Sequence, residues 1–321
     1  MPNLKPIWVI PYIDHPISFW QEVAARYPGL VREVYFPIPR EITASGRGRQ
    51  PDRRLEEFLG FPGLAKAVLV NPVVLDRPLE DLSGAILAYL RRLNETYGVT
   101  SVTVTHPGLA RSIRAALPQM HITASILMAI STPAQLLTVA GIIDTIVPDN
   151  RLVRDLAALR RLRAAFKGEI RLIVNEGCLP GCLYRTQHFY EMGYCDGLPK
   201  SLCAPLLAEQ SWLRLTGAWL LPRHLKYYQG LYDTLKIAGR STLSEPRRYF
   251  EVLDAYLFNQ EILPNHIGGG PASVIDPLPV GDDWYEYVLQ CDKNCAACAV
   301  CSDYYKIMQF RLEVQRSGQV G

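Results

Sequence analysis

The stretch Ser101-Val-Thr-Val-Thr-His106, followed by residues 108–117 and then by His121-Ile-Thr-Ala-Ser125, decides the fold. Its two short runs are rich in β-branched residues and end on turn residues. The segment between them carries apolar residues at three- and four-residue spacing, which is typical of an amphipathic helix. A strand, a helix and a second strand in this order predict that the two strands pair in parallel.

The same alternation continues along the chain. Six more runs predict strands, and they begin at Ile7, Glu33, Ala65, Asp144, Glu169 and Thr234. Amphipathic segments over 82–97, 133–140 and 152–166 predict helices between them. Eight strand–helix units that close on themselves form an α/β fold, the (β/α)8 TIM-like barrel, whose functional residues follow the carboxyl ends of the strands. An open, doubly wound sheet is the alternative.

Length and composition limit the remaining possibilities. The chain has 321 residues, 49% of them hydrophobic, which is enough for one large core. We predict a barrel over 1–262 with an insertion at 178–224, and a cysteine-rich extension over 263–321 that packs on the barrel. The 34 basic and 31 acidic residues nearly balance, so nucleic acid is not indicated as a partner. No window is apolar enough for a membrane span and no signal-peptide pattern is present, so we expect a cytoplasmic protein.

Eight cysteines fall into two groups. Disulfide frameworks belong to small secreted domains, so clustered thiols in a reducing compartment indicate metal ligands. The first group lies in the insertion and the second in the extension; the members are Cys178, Cys182, Cys195 and Cys203, and Cys291, Cys295, Cys298 and Cys301. Gaps of two and three residues favour one or two 4Fe-4S clusters. Zinc is the alternative cofactor, and the sharing of thiols between centres is left open.

Other polar residues end predicted strands and are candidates for the barrel mouth. His106, His188 and Glu176 are candidate catalytic residues, because imidazoles and carboxylates transfer protons. Candidate substrate-binding residues are Lys236, Arg240, Asn71 and Asn175. The two cations are suited to hold an anionic group. A salt bridge within the barrel, or a cap on the following helix, is the alternative role for these side chains.

Several segments resemble the collagenase-like peptidase family, whose catalytic type is unassigned. The similarity extends from about Gly98 to Tyr256 and has three pieces. The first is Ser101 to Ala110 followed by His121 to Ser125, and the second is Asn175-Glu-Gly-Cys178 with Cys182 and His188. The third is Trp219 to Leu225 followed by Leu235-Lys-Ile-Ala-Gly-Arg240. Ala238 replaces an acidic residue of the family pattern. The resemblance implies a barrel with an iron–sulfur cluster held by four cysteines.

Some members of this family hydroxylate ubiquinone precursors or RNA bases without oxygen, and in some the oxygen donor is a carboxylate such as prephenate. The resemblance implies related chemistry for this chain. We therefore expect an iron–sulfur enzyme that hydroxylates, or otherwise modifies by redox chemistry, a small anionic or aromatic substrate. Two alternatives stay open. The first alternative is a peptidase. The second is a non-catalytic, cluster-bearing subunit that pairs with a second barrel.

Overall fold

Eight short strands form a closed barrel in the computed structural model, which describes residues 7–45, 52–195, 202–239, 242–263, 266–267 and 280–317. Every neighbouring pair is parallel, and β8 pairs with β1 to close the ring. The predicted (β/α)8 barrel is therefore confirmed, and the open sheet is excluded. The strands are β1 (Trp8–Pro11), β2 (Val31–Pro37), β3 (Lys66–Val70), β4 (Ser101–Val104), β5 (His121–Ala124), β6 (Thr145–Ile146), β7 (Glu169–Ile173) and β8 (Thr234–Lys236).

Helices connect the strands and continue into the insertion and the extension. They are α1 (Ile17–Arg26), α2 (Leu55–Gly60), α3 (Leu79–Tyr97), α4 (Pro107–Ala116), α5 (Pro133–Leu136), α6 (Leu156–Ala165), α7 (Arg185–Tyr194), α8 (Ala204–Glu209), α9 (Pro246–Leu257), α10 (Asp282–Gln290) and α11 (Val300–Ser317). Short 3-10 segments cover Ile126–Met128, Asn150–Leu152, Ser211–Thr216 and Pro222–Tyr228.

Two predicted helices are shorter than expected. The predicted helix over 133–140 ends at Leu136 and continues as turns to Gly141, whose φ of 71° no helix accepts. The predicted helix over 152–166 begins only at Leu156, because the side chain of Asp155 accepts a hydrogen bond from the amide of Ala158 and caps the helix there.

Alternate strand residues face the helices and the barrel interior. Apolar side chains on the outer faces belong to one large core that includes the helices. Part of the interior is apolar and is filled by Val9, Tyr35, Ala67 and Leu69. Near the amino ends of the strands the interior is polar, and Arg171 there pairs with Glu33 at 2.7 Å. Both side chains are buried, so the charges of the pair compensate each other.

The extension lies against the insertion. Trp284, Tyr285 and Val288 of α10 and Met308 of α11 belong to the same core as the barrel. α11 packs on the 3-10 segment Ser211–Thr216. These contacts hold the second cysteine group against the barrel and its insertion. The predicted boundary between barrel and extension, at residues 262 and 263, stays a prediction. No helix among the described residues combines the length and apolar character needed to cross a membrane.

Candidate functional site at the carboxyl ends of the strands

Helix α7 crosses the mouth of the barrel. At its beginning, a guanidinium nitrogen of Arg185 lies 3.9 Å from the carboxylate of Glu176, which follows β7. At its end, the hydroxyl of Tyr194 donates to the carbonyl of Val74, which follows β3, and Arg40 beyond β2 donates to the carbonyl of Tyr194 at 2.9 Å. The helix therefore runs from the β7 side to the opposite side of the mouth.

This course separates the cysteines of the insertion. Cys182 precedes α7 and Cys195 follows it, and a helix of ten residues is about 15 Å long. Cys203 is buried at the start of α8. Among the described residues no three histidine, cysteine or acidic side chains converge on one point as ligands of a metal ion. In this structure the four sulfurs of the first group therefore do not surround one centre.

Cys178 lies beside an acidic side chain. Its backbone amide lies 3.4 Å from the Glu176 carboxylate, which it approaches as a donor. Burial, and then the charge of Glu176, raise the pKa of Cys178 well above its usual value. The thiol is therefore protonated at neutral pH, whereas a bound cation would favour the thiolate.

The second group is compact. Cys291 directly follows α10, Cys301 lies in the first turn of α11, and a short loop with Cys295 and Cys298 joins them. Burial raises the pKa of Cys295, and the neighbouring thiols of Cys291 and Cys298 raise it further. Thiols that oppose each other's ionisation in this way need a cation to become thiolates together.

A cavity of about 500 Å³ lies between the second cysteine group and the loop that carries Cys178 and Cys182. Cys291, Cys295 and Cys301 line one side, and Pro180, midway between Cys178 and Cys182, lines the other. Soft sulfur donors suit both iron–sulfur clusters and zinc, so these cysteines are chemically suited to hold either cofactor. The thiols surround the space without converging, and metal binding therefore requires them to turn toward one another.

Two of the predicted mouth residues are engaged in local hydrogen bonds. His106 caps α4, where its Nδ1 accepts from the amides of Gly108 and Leu109 at 3.1 and 3.4 Å. Asn175 donates to the carbonyls of Ala238 and Ile267 and accepts from the amide of Ala238. Both amide hydrogens of Asn175 are used, and the side chain ties the end of β7 to the chain beyond β8.

The other predicted residues are dispersed. Lys236 is buried in the barrel with its Nζ 3.8 Å from the centre of the Tyr35 ring. Asn71 is buried beyond β3, 3.5 Å from the hydroxyl of Thr105. His188 is half-buried on α7, and Arg240 lies outside the described residues. Catalytic and substrate-binding roles for these residues stay predictions.

Sequence reasoning missed two arginines. Arg154, between β6 and α6, is 6% exposed and lines the cavity. All three guanidinium nitrogens of Arg185 are buried and have no hydrogen-bond acceptor among the described residues. Two features of the sequence could have identified them as site residues. Arg154 follows a strand, and Arg185 lies three residues after Cys182. Neither signal indicates burial, which arises from the helices that cover them.

No family model matches the chain, but comparisons with known proteins find similar ones, among them a curated relative and a solved structure. An uncharacterised protease of Methanocaldococcus jannaschii is 26% identical over 175 residues, which cover 48% of this chain and 50% of that protein. The match thus spans half the length of the relative. The solved structure of a U32 peptidase has a TM-score of 0.53 at 13% identity, covering 74% of this chain and 93% of that one.

At such low identity the solved structure shows the fold alone. The names of the two similar proteins agree with the resemblance to the collagenase-like peptidases. The chain is thus a closed parallel (β/α)8 barrel similar in fold to a solved U32 peptidase, with a cavity beside its mouth that is lined by three cysteines of the second group and by Pro180.

Proposed function

We propose that this chain is an iron–sulfur enzyme whose reaction takes place at the mouth of the barrel. The observation that carries the proposal is the cavity lined by Cys291, Cys295 and Cys301 together with Pro180, which lies in the loop between Cys178 and Cys182. Clustered thiols at the carboxyl ends of barrel strands combine a cluster-binding donor set with the usual place of catalysis.

In this proposal the compact second group, including Cys298, holds the cluster, and Cys178 and Cys182 border the space where a substrate binds. When bound, an iron–sulfur cluster supplies electron transfer. The apolar side chains of Leu152 and Val288 line the same cavity. The reaction we propose for this enzyme is oxygen-independent hydroxylation, or a related redox modification, of a small anionic or aromatic substrate.

The test is purification without oxygen, followed by measurement of iron, sulfide, zinc and visible absorption per chain. We expect about four irons with matching sulfide, and a broad absorption that weakens on reduction and is lost when air destroys the cluster. The variant Cys295→Ser should lose this absorption, while Cys195→Ser, at the far end of α7, should keep it. A colourless protein that contains only zinc would overturn the proposal.

Peptide hydrolysis is the second candidate, and it is favoured by the names of both similar proteins. A cysteine peptidase needs an activated thiolate, but the raised pKa of Cys178 keeps that thiol protonated. Thr145 and His121 form a hydroxyl–imidazole pair at 2.7 Å. Both begin strands, so the pair lies at the end of the barrel opposite the mouth, and Thr145 is fully buried.

The peptidase candidate is tested with a mixture of unstructured peptides and the full chain, purified with and without oxygen. Cleavage by the wild type that disappears in Cys178→Ser would establish it. Absence of cleavage in both preparations would remove it.

A further inference from the structure

Arg154 is a buried cation held in an aromatic cage. Its guanidinium lies over the rings of Trp219, Trp284 and Tyr285, with its carbon 4.8, 5.3 and 5.4 Å from their centres. The terminal nitrogens donate to the carbonyls of Leu215 and Trp219. The Nε atom is buried and has no acceptor among the described residues. The position of the side chain is therefore fixed, while its charge is not neutralised by these neutral partners.

The other cations of the cavity have carboxylate partners. Arg151 pairs with Asp149 at 2.9 Å, and Lys293 pairs with Asp155 at 3.3 Å. In the described part of the chain no carboxylate lies within 4 Å of the Arg154 guanidinium. An isolated buried charge is costly, so a negative group in the cavity is expected to accompany it.

The thiols on the cavity wall can provide that negative charge. Four thiolates outweigh the charge of a divalent metal ion, so a metal–thiolate centre is an anion. Arg154 lines the same cavity as Cys291, Cys295 and Cys301. The surrounding rings shield the Arg154 guanidinium from water, so its charge is screened less than that of an exposed arginine.

We propose that Arg154 is a positioning residue that acts as the counter-charge of a metal–thiolate centre held by Cys291, Cys295, Cys298 and Cys301. The inference rests on the proposed function in requiring a metal at this group, and it is independent of the substrate. The cation compensates the negative charge of the metal-bound centre and therefore favours tight metal binding. Loss of a residue that supports metal ligands typically weakens metal affinity roughly 10- to 100-fold.

The experiment uses Co²⁺ as the probe, because its absorption reports thiolate ligation and it needs no substrate or turnover. The full chain, freed of metal, is titrated anaerobically with Co²⁺ against a competing chelator. Arg154→Met should raise the dissociation constant roughly 10- to 100-fold, and Arg154→Lys, which keeps the charge, should restore most of the affinity. Arg151→Met is the matched control, because Arg151 lines the same cavity but is 53% exposed and paired with Asp149. Its affinity should change by less than about threefold.

The outcomes separate the inference from the proposed function. If the wild type shows no absorption from thiolate-bound cobalt, the inference fails, while the proposed cluster is judged separately by the iron and sulfide content of the anaerobic protein. If the wild type binds cobalt and Arg154→Met binds it equally well, Arg154 has another role, such as holding an organic anion, and the inference fails. An equal loss in Arg151→Met would also overturn it. Should Arg154→Met not fold, Arg154→Gln, which can still donate to a backbone carbonyl, carries the same comparison.

Discussion

Each of the two cysteine groups has four thiols, but the chain between the thiols differs. In the insertion, α7 stands between Cys182 and Cys195 and keeps them at opposite ends of a helix that crosses the barrel mouth. In the extension, one short loop joins Cys291 to Cys301. The difference teaches that a count of cysteines does not define a metal centre. What matters is whether the connecting segment folds back on itself or extends.

The largest expected effect is on metal content. Replacing Cys291, Cys295 or Cys301 by serine should remove nearly all metal from the second group, because a centre that loses one of its few ligands loses most of its affinity. Cys195→Ser should leave that metal unchanged. Metal per chain after anaerobic purification measures both effects. Equal losses in Cys195→Ser and Cys295→Ser would show that the two groups form one centre, and the comparison would fail.

Thiol reactivity should separate the two ends of α7. In the metal-free protein at pH 7, exposed Cys195 should react with iodoacetamide at least about tenfold faster than Cys178. The raised pKa of Cys178 leaves little thiolate at neutral pH, and this fraction grows as the pH rises. The ratio of the two rates should therefore fall between pH 7 and pH 10. Peptide mass spectrometry over a time course gives the rates, and a ratio near one at pH 7 would contradict the raised pKa of Cys178.

The root of the insertion should be more sensitive to mutation than the rest of the mouth. Asn175→Ala leaves the amide and carbonyl of Ala238 without partners in a buried place, so we expect a loss of about 3 kcal/mol in the free energy of unfolding. Asn71→Ala is the control, because its single contact of 3.5 Å predicts a loss of at most about 1 kcal/mol. Denaturant unfolding measures both, and the reverse order would show that the mouth is held together at β3 instead.

The sequence predicted the barrel well because strand patterns are local. All eight strands occur where β-branched runs end on turn residues, and the unit from Ser101 to Ser125 has the expected parallel pairing. The arrangement of the cysteines was not predictable, because α7 has a weak amphipathic pattern and its ends are fixed by distant residues such as Arg40 and Val74. Arg154 was missed for a related reason. Its aromatic cage is built from residues 65 to 131 positions later in the chain.

The smallest effect concerns the far end of α7. Tyr194→Phe removes the hydrogen bond to the Val74 carbonyl and should cost about 1 kcal/mol or less, because the ring is partly exposed and the carbonyl can be hydrated. Hydrogen exchange should become faster in the last turn of α7, while the first turn, near Glu176, stays protected. The metal content of the second cysteine group should not change. Faster exchange along the whole helix would mean that α7 moves as one body, and the separation of Cys195 from Cys182 would then be only one arrangement of a mobile insertion.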